Sequence, residues 1–431
     1  MHKDYKKMLS VWQMCEDAAA GERFVHAKGP DYLPKLKGEA AKDYLTRLKM
    51  TPWFGATWRT IIALRGMIFR SDPVMEVNDI FKEDINNGGK SLISFSKDVV
   101  LQVLKTARAG ILVDYPDTSG ELTQAGTLAA RPYLELFNAV DILDWQLDIE
   151  NGVEILTRVE LKLSDEDVLI LILDKTGYSQ IKAKLDRNGK ITNEEAPYQP
   201  KMDNKPLNFI PFQFVGADTL DPAITEPPLI DLITMNYHHY RQASAYERGC
   251  FLSGLPTLFL YTSDDPGVIY VGGPTANRLK DNQAKAEFIE VKSEFKALLA
   301  NLEQKERMMA VLGARMLEDV KKTAESEGTV ARRQSGEESV LADIASTCEA
   351  GILKALQWVT MWLGEDPKQV EFRLNREFVP ARLTSQEITA LMSAYIQGGI
   401  SYDTLFYNFQ RAGMYPPNAD KDSERGAMTE L

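Results

Sequence analysis

Apolar positions along this chain keep two different periods, and the change from one to the other marks its parts. From Tyr44 to Arg70, the residues Tyr44, Leu45, Leu48, Trp58, Ile61, Ile62, Leu64 and Ile68 recur at the spacing of a helix face. Thr51-Pro52 interrupts them, because proline lacks the amide donor and crowds the preceding turn, so two helices are expected. A further amphipathic helix is predicted from about Ser91 to Arg108 on Leu92, Phe95, Val99, Val100, Val103 and Leu104. It runs into a strand at Gly110-Ile111-Leu112-Val113 that Tyr115-Pro116 closes. Between about Arg131 and Val215 the period shortens to that of a strand, in the runs LTRVELKL, VLILILD, YSQIKAKLD and FIPFQFV. Clusters of Gly, Asn, Asp and Pro separate these runs, and one compact antiparallel unit is expected. Lys175-Thr176-Gly177 and Arg187-Asn188-Gly189 supply hairpin turns that tolerate positive φ.

Pro227-Pro228 opens a long helix to about Leu252, with Leu229, Leu232, Ile233, Asn236, Tyr237, Tyr240, Ala243 and Tyr246 on one broad face. Gly254 and Pro256 stop it, a short glycine-bearing β segment follows, and Phe288-Ile289-Glu290-Val291 reads as one more strand. A second long helix spans about Lys292 to Leu317. The next stretch, EDVKKTAESEGTVARRQSGEES, is too polar and too charged for a core. A third long helix runs from about Ser339 to Trp362 through Leu341, Ile344, Ile352, Leu356 and Val359, and ends at Gly364. A strand near Val370 to Leu374 and two C-terminal helices complete the pattern, the first opened by the capping-box spacing of Thr384 and Glu387. Residues after Pro417 are expected to be disordered. With no repeat at fixed period and no low-complexity linker, the parts read as interlocked segments of one α+β body.

Composition narrows the function. The 431 residues, 44% hydrophobic, suffice for more than one domain-sized core. No apolar run reaches the roughly 18 to 20 residues of a membrane span, and the N-terminus lacks a signal-peptide core, so a soluble chain without membrane contact is expected. Cys15, Cys250 and Cys348 show no CxxC spacing, which fits a reducing cytoplasm. A formal charge of -12 argues against gripping nucleic acid by phosphate neutralisation, but not against letting a duplex slide past.

Catalytic and cofactor motifs are missing. Gly89-Lys90-Ser91 resembles the end of a phosphate-binding loop, yet the leading glycine of that motif is replaced by Asp84, and Ser91 is better read as a helix cap. His238 and His239 are adjacent, so on a helix they diverge and cannot chelate one ion; they read as polar helix positions, one of them meeting a neighbouring subunit. The pairs Asp264-Asp265 and Glu337-Glu338 read as solvated surface, and Trp53, Phe54, Trp58, Trp358 and Trp362 as core. No catalytic residue, metal ligand or cofactor is assigned, and the chain is expected not to be an enzyme.

The order of segments resembles that of the portal proteins of tailed bacteriophages, in particular one family long labelled a domain of unknown function. The resemblance rests on Tyr32-Leu33-Pro34-Lys35 with Tyr44 and Arg47, then Ala56-Thr57-Trp58-Arg59-Thr60 and Leu64-Arg65-Gly66-Met67-Ile68-Phe69. It continues through Gly110-Ile111-Leu112-Val113-Asp114-Tyr115-Pro116, Arg131-Pro132-Tyr133, Ile210-Pro211-Phe212, Pro227-Pro228-Leu229 and Asn236-Tyr237-His238-His239-Tyr240-Arg241. Pro256-Thr257, Leu312-Gly313-Ala314-Arg315-Met316 and Glu338-Ser339-Val340-Leu341 extend it over nearly the whole chain. The short stretch after about Gly413 gives no support for the extended barrel of some portals.

The resemblance implies a dodecameric ring at one capsid vertex, with double-stranded DNA in its channel, no sequence readout, and energy from a separate ATPase. On this chain the implied parts are a helical and β-rich wing at 1–226 (β unit at about 108–215), stem helices at 227–252 and 292–317, and a small α/β clip at 253–291. A tunnel loop at 318–335, a wing helix and strand at 336–382, and a crown with C-terminal tail at 383–431 follow. Lys321, Lys322, Glu325, Glu327, Arg332 and Arg333 would face DNA, their mixed signs touching phosphate without net adhesion. Tyr261, Asp264, Asp265, Tyr270, Arg278 and Lys280 would form the clip surface that docks the terminase large subunit and later the head-tail adaptor. Major capsid and scaffolding proteins are further implied partners, with the ring in the virion after assembly in the host cytoplasm. The long helices carry more apolar and aromatic residues than a lone pair could bury, which a ring would pack between subunits. Two alternatives are another oligomeric head-completion or structural protein without a DNA channel, and an enzyme acting on nucleic acid.

Overall fold

The computed structural model describes residues 1–116, 130–186, 190–202, 205–254, 257–261, 283, 285–289, 295–317, 339–376, 378, 385–415, 419 and 421. Helices and antiparallel sheets mix in an α+β chain of two compact units, one of residues 1–19, 58–230 and 312–431, the other of 20–57 and 231–311. Residues 20–57 cluster with the long-helix region.

The N-terminal elements are α1 (Lys3–Ala20), α2 (Glu22–Lys28), α3 (Ala41–Met50), α4 (Ala56–Ile68), β1 (Val74–Glu76), α5 (Asp79–Glu83) and α6 (Leu92–Thr106). Ser91 caps α6 by accepting a hydrogen bond from the Ser94 amide at 3.2 Å, and the predicted stripe Leu92, Phe95, Val99, Val100, Val103 and Leu104 is buried. The loop before it is closed against phosphate: Asp84 Oδ1 accepts from the amides of Gly88 (3.1 Å) and Gly89 (2.9 Å), and Arg131 Nη2 donates to its other oxygen at 2.7 Å.

The middle of the chain gives β2 (Arg108–Asp114), β3 (Tyr133–Asn138), β4 (Ile142–Glu150), β5 (Val153–Lys162), β6 (Asp167–Asp174), β7 (Gly177–Leu185), β8 (Ile191–Thr192), β9 (Lys201–Met202), β10 (Lys205–Pro206) and β11 (Phe212–Gly216). Within the β-rich stretch expected here, the described strands form two larger sheets and the short β9–β10 pair. β4 to β8 form a five-stranded meander, while β2 is the centre of a separate sheet of order β11-β2-β3. The split follows from burial: β2 is buried at every position before Asp114, as a strand covered on both faces must be. Gly110 in β2 lies under Phe212, whose ring a Cβ would approach to 2.1 Å, so only glycine fits. In the meander, β6 and β7 turn at Lys175-Thr176 as expected, with Gly177 at φ +110, and Asn151-Gly152 makes a second tight turn, both residues at positive φ. The Arg187-Asn188-Gly189 turn lies outside the described residues.

The remaining elements are α7 (Ile230–Gly254), β12 (Thr257–Tyr261), β13 (Lys285–Ile289), α8 (Lys296–Ala314), α9 (Val340–Trp362), β14 (Glu371–Arg373), α10 (Ser385–Ile396) and α11 (Tyr402–Arg411). α9, capped by Ser339, packs on β11, β2 and α6. β14 pairs antiparallel with β1, a partner that sequence spacing did not suggest. The core beneath the meander collects Trp12 of α1, Tyr178 of β7 and Phe212 of β11. At its margin Arg108 is 3% exposed, its guanidinium carbon 4.3 Å from the Trp145 ring centroid and 4.6 Å from that of Phe214. Its Nη1 donates to the Pro222 carbonyl at 2.9 Å, and burial pushes its pKa down to about 9. Among the described residues no helix is long and apolar enough to cross a membrane.

Candidate functional site

The smaller unit is built around α7, which at 25 residues is roughly 37 Å long. The predicted apolar face of α7 is its inner face: Leu232, Ile233, Tyr237, Tyr240 and Ala243 are buried. Trp53 packs on it, 5.1 Å from the Tyr237 ring and 5.6 Å from that of Tyr240, centroid to centroid. Asn236, fully buried among them, satisfies its amide on the first turn of α4 and the loop before it. Its Oδ1 accepts from the Thr57 amide (3.2 Å) and hydroxyl (2.9 Å), and its Nδ2 donates to the Phe54 carbonyl at 2.8 Å. One polar residue on an otherwise apolar face was the only sequence signal of this junction.

A second polar junction joins the segment before α3 to α7. Arg47 donates to both oxygens of Glu39, at 2.7 and 2.8 Å, and also to Ser244 Oγ at 3.0 Å and the Pro34 carbonyl at 2.8 Å. Arg248 of α7 adds a contact of 3.2 Å to the same carboxylate. Glu39 is 1% exposed at its side chain, and the hydrogen bonds from Arg47 hold its carboxyl down at about 2. Spacing could not reveal this set, because Glu39, Arg47 and Arg248 share no helical or strand period.

α8 lies along α7 through polar side chains. Gln242 donates to the Leu298 carbonyl at 3.3 Å, and Lys305 donates to Gln242 and Asn301. The two adjacent histidines, expected as polar helix positions with one of them meeting a neighbouring subunit, differ in burial. His239 is 6% exposed, its Nε2 lies 3.2 Å from Glu306, and burial lowers its pKa despite that carboxylate, whereas His238 is exposed. Gly249 lets the Phe295 ring approach where a Cβ would come within 2.8 Å. Leu299, Met308 and Val311 of α8 stay uncovered, at 41, 43 and 52% exposure.

Of the expected clip residues, Tyr261 is exposed and pairs with Lys285 in the β12–β13 hairpin. Asp264, Asp265, Tyr270, Arg278 and Lys280 lie outside the described residues, as do Lys321, Lys322, Glu325, Glu327, Arg332, Arg333 and the pair Glu337-Glu338. Thr384 and most of the chain after Pro417 also lie outside them. Trp53 and Trp358 are core, as expected, but Trp58 is not: it is 43% exposed on the outer side of α4. Leu45, counted with the apolar face of α3, is likewise exposed, because Tyr44 and not Leu45 points inward.

Among the described residues no constellation of reacting groups accompanies these features. A groove of about 950 Å³ along β1 and β14 is lined by Glu76, Glu365, Asp366 and Glu371 interleaved with Lys82, Lys368 and Arg373, and no Ser, Cys or His lines it. Among the described residues no group of three or more His, Cys, Asp or Glu is arranged to hold a metal ion. Cys15 and Cys348 are buried thiols whose pKa values burial pushes up, that of Cys15 to about 12, which is the opposite of an activated nucleophile.

Comparison with known proteins gives one family match. Residues 228–363, which run from α7 through α9, match a family model described as Domain of unknown function (DUF4055). No curated protein matches the chain. Among solved structures, a chain of the "Virion of native gene transfer agent (GTA) particle" aligns over 89% of this chain and 96% of its own, with 10% identity and a TM-score of 0.42. A chain of the "Neck of native GTA particle computed with C12 symmetry" aligns over 84% and 91%, with 11% identity and a TM-score of 0.40. For the "Neck of empty GTA particle computed with C6 symmetry" the shares are 85% and 92%, the identity 11% and the TM-score 0.41. Likeness at this level is too distant to carry a function across.

Proposed function

We propose that this chain is a structural subunit of a phage head-tail junction, and within that class a portal: a closed ring, dodecameric in the virion, through which double-stranded DNA is packaged and ejected. The observation that carries the reading is the run α7, the β12–β13 strand pair, α8, then α9 after residues 318–338, because long helix, paired strands, long helix and a third long helix follow in the order expected of stem, clip, stem and wing helix. The polar ties between α7 and α8 suit a stem that must hold its shape while a duplex moves past. Leu299, Met308 and Val311 are apolar surface that a single chain leaves wet and a neighbouring copy can cover.

The chemistry is that of a conduit. A chain of net charge -12 does not hold phosphate by counterion release, so DNA slides, and the work is done by a separate ATPase docked at the clip, where a head-tail adaptor later binds. No residue of the chain acts catalytically in this reading. The test is native mass measurement paired with negative-stain imaging of the purified chain. Rings with a central hole wide enough for a duplex are expected; a monodisperse monomer or dimer under all assembly conditions overturns the proposal.

A further inference from the structure

Two surfaces of the larger unit that the fold leaves largely open complement each other. The first is the outer face of α4. Trp58, Ile62 and Arg65, continued by Phe69 in the next turn, fall at i, i+4, i+7 and i+11 and form one stripe that is exposed or half-buried. Arg59 and Arg70 flank it, and no acidic residue occurs between Ala56 and Ser71. Gly66 leaves open space beside the stripe, with no atom beyond its neighbours and its own helix backbone within 4 Å of where a Cβ would stand. Among the described residues none of the three guanidinium groups has an ion-pair partner.

The second surface is the arm formed by the ends of β4 and β5. β5 pairs with β6 only from Arg158 onward, so the arm beyond it is a two-stranded ribbon with both edges open. Every residue from Gln146 to Glu154 is exposed, including Leu147 at 38%, Val153 at 63% and Ile149 at 75%. Its charges, on Asp148, Glu150 and Glu154, are all negative and have no cation partner among the described residues. An isolated ribbon is marginal in water, and an open edge carrying large apolar side chains is a template for another chain.

We infer that the β4–β5 arm of one copy docks on the α4 face of the next, carboxylates against arginines and Ile149 with Val153 against Trp58 and Phe69. The two patches differ, so the contact is heterologous and propagates head to tail until rotation closes it, which is what a ring needs and a two-fold dimer does not. The inference rests on the ring reading for the presence of neighbouring copies. Nucleic acid is the other candidate for an arginine and tryptophan face. The acidic arm on the same chain, with matching charge number and apolar content, favours a second copy.

Charge reversal tests it. One variant carries Arg59→Glu, Arg65→Glu and Arg70→Glu; the other carries Asp148→Arg, Glu150→Arg and Glu154→Arg. Each alone is expected to weaken assembly by native mass at least about tenfold, with the fold of the dissociated chain kept, as read by circular dichroism, because none of the six sites is buried. A one-to-one mixture is expected to recover closed assemblies with an even number of subunits, since each reversed face meets a reversed partner; a chain carrying all six changes also recovers. The inference is overturned if either reversal assembles like the wild type, if the folded mixture stays dissociated, or if the arginine reversal loses retention of duplex DNA while assembly is intact. In each of those cases wild-type rings leave the portal reading standing, whereas a wild-type chain that never assembles overturns both.

Discussion

In the larger unit the side chains that meet at the centre are hydrocarbon: Phe95 and Val99 of α6, Ile111 and Leu112 of β2, Ile344 and Leu356 of α9. In the smaller unit the joints are polar: Asn236 on Thr57 and Phe54, Arg47 and Arg248 on Glu39, His239 beside Glu306. Hydrocarbon burial is non-directional and grows with area, so it stabilises without naming one arrangement. Buried polar partners punish any displacement, because an unmade hydrogen bond leaves a desolvated group behind. The difference suits a unit built for mass on one side and a unit whose helices must keep one alignment on the other.

The largest loss is expected in the larger unit. Phe95→Ala removes a ring that is 2% exposed and should cost about 3–5 kcal/mol in urea unfolding, with amide exchange speeding up across α6, β2 and α9. A loss under about 1 kcal/mol would mean the sheet core collapses around the gap.

Next in size is Glu39→Gln, which strands Arg47 without its carboxylate and should cost about 3 kcal/mol, with exchange confined to the smaller unit. It also has a pH signature. The Glu39 carboxyl lies lower in the folded chain, at about 2, than its ordinary 4.5, so the unfolded chain binds more protons in that window. Its contribution is therefore complete above about 4.5 and lost as pH falls toward 2, and the variant should flatten the stability profile there. His239 acts in the same direction at higher pH: its folded pKa lies below the ordinary 6.5, so acidification through that value lowers stability.

The smallest effect is expected from Asn236→Ala, at about 1–3 kcal/mol, because it leaves the Thr57 amide and Phe54 carbonyl without their partner. A variant that melts like the wild type would reduce this junction to a bystander and move the weight of the smaller unit onto Glu39.

Local patterns were the legible part of the chain. The α6 stripe with its Ser91 cap, the Lys175-Thr176 turn, the long α7 to Gly254 and α9 behind Ser339 all stand where period and capping chemistry predict. What sequence could not show depends on residues far apart. β2 finds β11 about a hundred positions later, and β1 finds β14 nearly three hundred positions later. Periodicity fixes a face but not a partner, so the β unit looked single and Trp58, which keeps helical spacing, looked like core. The Glu39 cluster failed for the same reason. Of the expected site, Tyr261 alone falls among the described residues.

The sheet order β11-β2-β3 also sets a timetable during synthesis. β2 gains β3 almost at once, but its other edge waits until Phe212 has been made, which at ribosomal speed is roughly 4–15 seconds after Asn138. The face that α9 covers stays bare longer still, until Trp362 has left the ribosome. A nascent chain cut short before Val340 therefore presents an apolar sheet that lacks its covering helix to whatever chaperone or sister chain is nearest.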